Sequence, residues 1–551
     1  MVAQAETLPI PDDFRFQWDS PEEAAHFWML DMMHWPHGLS PLSATMDMPA
    51  FMRGFTKAAR ELCMPFTSMH SKVIHGWVYM NAEPYSADPV QLERRMADMQ
   101  AQMGKHVPGL LERWRDVYEP EVRSINDETL KGDYSKLGDR DLADHLQAIV
   151  DKRERAGELH MLAVFPAMGA VMFYEQVYNQ LFGEPKGSEH LQLLQGFPNK
   201  SIEVGVGLWN LAREAQKRPE VLATLRRVPP SDADSALDQC LGGPAFRGAV
   251  REFLSDYGWR ANESDLAVPT WFEQPAPAYA LIREYASRHD YDPEAEFSSL
   301  VAAREAREQV LFKQLSGGPI EMFQQVLAGA QQYLPIQEDH NFWIDQVGLS
   351  VQRVPALEAG RRLTTAGRLA APEDVFFLHY DELQDALRGG KGDLKELVQR
   401  RRSERAEGHA LTPPPALGTP PPAELGEDPM LSKFFGAPPE EHPNPHIING
   451  NAASAGKVTA TARVIMSLAD ADRLSHGEIL VCPATMPPWT PLFAIASGVV
   501  TDHGGILSHT AIVAREYQIP AVIGTKVATS LIKDGQTITV DGTAGTIKME
   551  N

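Results

Sequence analysis

Two proline-rich stretches divide this chain: Leu411-Thr-Pro-Pro-Pro-Ala-Leu-Gly-Thr-Pro-Pro-Pro422 and Gly436-Ala-Pro-Pro through Pro445. Proline fixes φ and carries no N–H, so such runs neither continue a helix nor sit inside a sheet, and they behave as a semi-stiff connector. The remaining residues must fold on either side. From about 51 to 400, apolar residues recur at three and four, which predicts helices over 141–158, 159–181, 201–217, 292–314 and 319–332. Alternation of the strand kind is sparse there, with His75–Met80 as one candidate. After 446 the texture changes to short β-rich runs with glycine turns, at 459–466, 478–482, 498–500, 521–523, 537–540 and 545–549. The expected organisation is a mostly α-helical domain over 1–402, a mobile linker over 403–445 and a compact α/β domain over 446–551.

Charge and composition exclude several classes. The chain of 551 residues has a net charge of −23, which argues against nucleic acid as a partner. Nearly all of that charge lies before 446, since the last part holds seven Lys/Arg against eight Asp/Glu. Cys63, Cys240 and Cys482 lie far apart in sequence and form no metal or redox spacing. His34 and His37 are three apart but lack companion ligands, so no metal site is expected. The N-terminus has no basic and apolar leader pattern, and the apolar stretch Met161–Tyr174 contains Pro166 and is short for a bilayer. A cytoplasmic protein without membrane attachment is expected.

One segment carries chemistry. Gly498-Val-Val500 reads as a buried strand, Gly504-Gly505 breaks the chain, and Ser508 precedes helix formers from His509 to Glu516. A histidine in the first turn of a helix faces unpaired N–H groups and the positive end of the dipole, and glycines allow a phosphoryl group close approach. Imidazole is also a competent nucleophile near neutral pH. A capping detail with a structural histidine fits the same pattern.

The segment Gly504–Arg515, followed by Ile519-Pro-Ala-Val-Ile-Gly524, resembles the phosphohistidine segment of the phosphoenolpyruvate-utilising enzyme family, and the likeness extends over 446–551. The resemblance implies a swivelling domain whose His509 is phosphorylated during turnover, with Thr501, Gly504, Gly505, Ser508 and Arg515 as phosphate cradle or its support. Arg515 stands six residues beyond His509, about 600° around a helix, so it is expected to brace the adjoining loop or meet a partner domain. Some members carry a regulatory threonine two residues before the histidine; Leu507 stands there, so that regulation is not expected.

The preceding part shows no phosphate-binding Gly-x-x-x-x-Gly-Lys loop, no kinase signature and no glycine-rich ATP-grasp pattern. The family's phosphoenolpyruvate barrel does not follow 551, so pyruvate chemistry by this polypeptide alone is not expected. Softer motifs, Gly196–Ser201, Tyr257–Glu263 with Pro269–Glu273, Gln337–Trp343 and Pro372–Leu378, resemble the acceptor part of phenylphosphate synthase or rifamycin phosphotransferase type dikinases. The resemblance implies an acceptor-binding phosphotransferase subunit acting on the hydroxyl of a small molecule, a phenol in aromatic catabolism first. ATP and Mg²⁺ would be bound by a separate ATP-grasp subunit. Glu338 and His340, beside Phe342 and Trp343, are candidates for the acceptor base, with a solvated acidic patch as the alternative. Arg260 and Glu263 could clamp substrate or form a buried ion pair, and Lys200 could meet phosphate or lie on the surface. Two other functions remain open: a phosphorelay protein passing phosphate to another protein, and a phosphotransferase for an antibiotic or other bulky alcohol.

Overall fold

In the computed structural model of the protein, residues 7–185, 189–288, 291–420, 432–433, 435–436, 439 and 442–550 are described. The chain separates into two compact units that cut across the expected boundaries: Met1–Pro166 with Glu263–Val268 and Trp343–Gly426, and Ala167–Asn262 with Pro269–Phe342 and Glu427–Asn551. Residues 1–402 therefore do not form one domain. The middle helices of that stretch, within 167–262 and 269–342, belong with the C-terminal part, whereas its last helices belong with its beginning.

In the first unit, β1 (Phe27–Leu30), β2 (Phe66–Ile74), β3 (Trp77–Pro84) and β4 (Ala416–Gly418) make an antiparallel sheet in the order β2-β3-β1-β4. His75 and Gly76, with φ of 53° and 89°, form the two-residue turn between β2 and β3, the left-handed pair that suits hairpin twist. His75 is thus turn rather than strand, and the strand begins at Trp77. β4 lies within the proline-rich stretch. Its three residues are free of proline, and an edge strand tolerates prolines at its flanks. The helix Lys395–His409 also runs through the expected boundary at 403, so 403–420 includes helix and strand of this unit rather than a tether throughout. Of the expected linker, 421–431, 434, 437–438 and 440–441 lie outside the described residues.

The two helices expected over 141–181 are one, α1 (Asp139–Phe182), with Pro166 inside it. Burial of Leu159, Ala163 and Val171 on the same helix outweighs the break that proline alone would favour. Among the described residues, α1 alone is long and apolar enough to cross a membrane, and its most apolar window is 72% buried in the protein. The helix Met48–Glu61 packs against α1 where Gly54 meets Gly157. A Cβ on Gly54 would come 2.1 Å from the Glu154 carbonyl, and one on Gly157 would come 2.5 Å from the Phe51 carbonyl.

The second unit opens with the far end of α1, followed by α2 (Lys200–Gln216), α3 (Gly243–Tyr257), α4 (Ala276–Tyr285), α5 (Pro293–Phe312) and α6 (Tyr333–His340). It ends in a sheet of eight strands: β5 (Ile447–Asn449), β6 (Asn451–Ser454), β7 (Lys457–Val464), β8 (Ile479–Cys482), β9 (Gly498–Thr501), β10 (Ala521–Ile523), β11 (Thr537–Asp541) and β12 (Thr546–Met549). Their order is β5-β12-β11-β7-β8-β9-β10-β6. The pairs β7–β8, β8–β9 and β9–β10 are parallel and the rest antiparallel. β8 and β9 are buried throughout, as parallel strands covered on both faces must be. Side chains alternate between two cores. Ile479, Val481 and Val500 join Val522, Ile538 and Ile547 on one face. Leu480, Cys482 and Val499 join Phe493 and a cluster that continues through Val204, Leu208, Phe253 and Tyr285 of the helices. One face of the sheet is therefore closed by helices that end about 160 residues or more before it begins.

Because the Gly54–Gly157 contact is backbone against backbone, side-chain rearrangement cannot relieve it. Gly157→Val is expected to destabilise the first unit by about 1–3 kcal/mol or more, read as a lower urea midpoint of the full chain. A control at Gly104, where a Cβ meets nothing within 4 Å, should leave the midpoint nearly unchanged.

Candidate active site

The loops leaving the carboxyl ends of the parallel neighbours β8 and β9 meet, where the His503 N–H donates to the Pro483 carbonyl at 2.9 Å. The loop after β9 is fixed from below. Asp502 is buried and accepts from the Thr525 hydroxyl and the Thr529 N–H, both at 3.1 Å, and from the Thr529 hydroxyl. The Thr501 hydroxyl donates to the His503 carbonyl at 2.7 Å. Gly504 has φ 114°, and a Cβ there would come 2.9 Å from the Ser508 Oγ. Ser508 is the N-cap residue of α7 (His509–Glu516), yet its side chain does not cap the helix. Its hydroxyl is buried without a hydrogen-bond partner. An orphaned hydroxyl beside an uncapped helix start fits a phosphoryl group, which accepts from both.

His509 opens α7 with its side chain 11% exposed. Nδ1 lies 3.3 Å from Oε1 of Glu338 on α6, and Nε2 lies 3.3 Å from the Thr490 Oγ1. Phe493 meets the ring edge-on at 6.5 Å. The other Glu338 oxygen accepts the Ser201 hydroxyl at the start of α2. Burial pushes the Glu338 carboxyl up, but His509, the Ser201 hydroxyl and His340 outweigh it and hold the group below the usual carboxylate range. The Thr485 and Thr510 hydroxyls, 2.8 Å apart and buried, tie the two loops together.

The cluster Glu338–Asp339–His340 does not act as one site, because successive helix residues point about 100° apart. Glu338 faces His509, Asp339 accepts the Lys200 N–H at 2.8 Å, and His340 Nδ1 donates to the Ile336 carbonyl at 2.7 Å. The Lys200 ammonium is held by Glu203 at 2.6 Å. Arg260 is buried with its guanidinium 4.8 Å over the Trp271 ring, and burial pushes it down to about 9 against the pull of Glu338. Glu263 lies 4.0 Å from His37 in the first unit, with its carboxyl pushed up by burial. The expected Arg260–Glu263 pair is replaced by these separate settings. Arg515 donates to the Ala453 and Ile506 carbonyls, both at 3.0 Å, and so braces the strand and loop around His509. Burial pulls it down to about 10, which leaves it charged at neutral pH. No sequence pattern singles out Thr490 or Ser201 for a place beside the histidine. The position of Thr490 after a strand parallel to the glycine-loop strand is the available signal.

Contacts that seat α7 on the helices extend beyond His509. The Tyr333 hydroxyl donates to the Leu507 carbonyl at 3.0 Å, and the Leu507 N–H donates to the Lys433 carbonyl at 3.0 Å. At the far end of α7, both Glu516 oxygens accept the Gly196 N–H, at 3.0 and 3.2 Å. Burial pushes the Glu516 carboxyl up to about 8. Gly196 and Arg515 oppose that shift, Glu338 adds to it, and Arg304 opposes it. A carboxyl raised in the seated state and ordinary when released, at about 4.3, destabilises seating as pH rises from its ordinary value to about 8, and no further above that. The protection factors of the α7 amides, with exchange rates corrected for base-catalysed intrinsic exchange, should fall between about pH 5 and about pH 8 in wild type and much less in Glu516→Gln. An equal fall in both would refute the role of Glu516.

Residues 160–338 match the family described as rifampicin phosphotransferase fourth domain, and residues 474–545 match the mobile domain of PEP-utilising enzymes. The chain is 33% identical to a chondramide synthase of Chondromyces crocatus over 99% of its own length and 14% of that protein's. It is 31% identical to an uncharacterised phosphotransferase of Bacillus subtilis (strain 168) over 95% of its length and 61% of the relative's. Against a rifampicin phosphotransferase of Streptomyces sviceus it is 30% identical over 72% of its length and 45% of the relative's. The chain thus spans less than two thirds of each. These relatives correct the expectation of a separate ATP-grasp subunit, since each carries the matched region inside one longer polypeptide. The His509 loop and the helices that face it thus each match a model of this kind, and the chain is similar to PEP-utilising enzymes of the rifampicin phosphotransferase type.

Proposed function

We propose that this protein is a phosphotransferase that passes a phosphoryl group through Nε2 of His509 to the hydroxyl of a bulky organic acceptor. The observation that carries this reading is the pairing of His509 Nδ1 with the buried, ionised Glu338. With a carboxylate on Nδ1, that nitrogen keeps the proton and the Nε2 lone pair is the nucleophile. Attack on the donor forms the N–P bond as the donor's O–P bond breaks, and the ring becomes a phosphorylated imidazolium. Glu338 stabilises the charge that develops there, so it acts as a positioning residue in this step. The Thr490 hydroxyl, the unpaired Ser508 hydroxyl and the start of α7 offer donors to the phosphoryl oxygens. In the second step the acceptor oxygen attacks phosphorus, the N–P bond breaks, and the hydroxyl proton passes to a base or to water.

The family is ATP- or phosphoenolpyruvate-dependent and commonly uses Mg²⁺. The groups beside His509 are one carboxylate, one threonine hydroxyl and an aromatic edge, which suit an imidazole and a phosphoryl group rather than an octahedral shell of oxygens. When bound, ATP would supply the phosphoryl group. Relatives named for rifampicin favour a bulky hydroxyl acceptor over the small phenol expected from the sequence.

The full chain would be charged with phosphoramidate, a direct phosphoryl donor to histidine, and in parallel with ATP labelled at the β or γ position. Acid-labile, alkali-stable phosphate on wild type, none on His509→Ala, and discharge to a hydroxyl acceptor such as rifampicin are the expected results. Label on another residue, or label that passes only to a second protein, would replace this reading with a phosphorelay.

Glu338→Gln keeps the shape but removes the charge opposite the developing imidazolium. The rate of His509 phosphorylation should fall by about 10²–10⁴, with an altered pH profile and partial rescue in Glu338→Asp. An unchanged rate and profile would show that Glu338 only packs.

A further inference from the structure

The glycine pair of the His509 loop packs against a turn of the proline-rich connector. The Gly436 N–H donates to the Ser432 carbonyl at 2.9 Å, which closes that turn, and Gly436 sits at φ 88°. A Cβ on Gly505 would collide with the Lys433 carbonyl and come 2.8 Å from the Gly436 nitrogen. One on Gly436 would come 2.6 Å from the Gly504 carbonyl oxygen. The two backbones therefore meet directly, and glycine is required on both sides of the contact. The Lys433 carbonyl accepts the Leu507 N–H at 3.0 Å, and the Leu507 carbonyl accepts the Tyr333 hydroxyl at 3.0 Å. Both polar backbone atoms of Leu507, the residue before Ser508, are thus held from outside the loop. The Ser508 N–H completes the turn by donating to the Gly505 carbonyl at 2.9 Å.

The connector is tied in turn to α1. The Lys433 ammonium pairs with Glu175, whose side chain is 7% exposed, and the other Glu175 oxygen lies 3.1 Å from His190 Nε2. Burial, with Arg515 adding to it, pushes His190 down to about 4, so at neutral pH the imidazole donates a hydrogen bond without bringing charge. Lys433 supplies the opposing charge. Burial pushes its ammonium down, a cost that a free tether would not meet and that the carboxylate offsets.

We infer that this turn is a strap that completes the His509 site, with Lys433 as a positioning residue. Anchored by Glu175, it fixes the Leu507 peptide, and through it the unpaired Ser508 hydroxyl and the start of α7. Two adjacent glycines leave a loop many conformations, and a transfer that needs aligned donors loses rate when they wander. The strap removes that freedom from one side, as Tyr333 does from the other. The effect on rate rests on the phosphotransferase reading, whereas the strap rests on the contacts alone.

The test compares full-length wild type with Lys433→Met, Lys433→Arg, Glu175→Gln and Gly436→Ala. It reads the exchange protection of the Leu507 amide and the rate of His509 phosphorylation by phosphoramidate. Leu507 protection should fall by about tenfold or more in Lys433→Met, Glu175→Gln and Gly436→Ala. Their labelling rate at saturating phosphoramidate should fall by about 10–10², with the half-saturating concentration and the urea midpoint near wild type. Lys433→Met combined with Glu175→Gln should lose no more than either alone, since both remove one ion pair, and Lys433→Arg should keep most of both signals. Lost protection with an unchanged labelling rate would overturn the positioning role. Unchanged Leu507 protection in Lys433→Met and Gly436→Ala would overturn the strap itself. If wild type takes no phosphate on His509, the phosphotransferase reading falls, and Leu507 protection still decides whether the strap holds the loop.

Discussion

The arrangement at His509 depends on the burial of one sheet face by helices from far earlier in the chain. β8 and β9 are short and apolar on both faces, and their alternation sends Leu480, Cys482 and Val499 toward Val204, Leu208, Phe253 and Tyr285. Water cannot cover that face without exposing the apolar surface of several large side chains, at about 25 cal/mol per Å². The helices are therefore part of the same core as the sheet. They complete the core of the sheet that carries the histidine, and in doing so they bring α6 and the start of α2 to the ring.

That constraint bears on the word mobile in the description of the matched domain. The seat of α7 combines apolar burial with a small number of polar contacts: Glu338 on His509, Tyr333 on Leu507 and Gly196 on Glu516. A domain that travels must release all of them together. Two of the three involve carboxylates buried in the seated state, and one of these, Glu516, stays protonated to about pH 8. Adding a phosphoryl group to His509 would place further negative charge beside the ionised Glu338. Under the proposed reaction, electrostatics would couple the chemical state of the histidine to how firmly the domain is held.

Much of the site is legible in the amino-acid sequence. The glycine pair, the helix start and His509 follow from local rules, since a strand, a left-handed glycine and a helix cap are set by neighbours along the chain. The placement of Arg515 away from the ring follows from helix rotation, and its guanidinium donates to Ala453 and Ile506. Local rules fail where partners are distant. The apolar run after His75 favours strand for that residue too, whereas the hairpin needs it in the turn. The prolines around Ala416–Gly418 favour a tether, whereas an edge position in the sheet accommodates them.

A helical part ahead of a β/α part, a histidine at the mouth of a helix behind a glycine loop, and the family that this loop resembles can all be derived from the residues in order. These features are encoded within windows of about 20 residues, where propensity and periodicity act. Which carboxylate meets the imidazole cannot be derived that way. Glu338 and His509 are 171 residues apart, and no local preference distinguishes Glu338 from Asp339 or His340 beside it. The packing of α6 against the sheet makes that choice, because it is the sum of many apolar contacts across the fold, and only one residue of that turn then points at the ring.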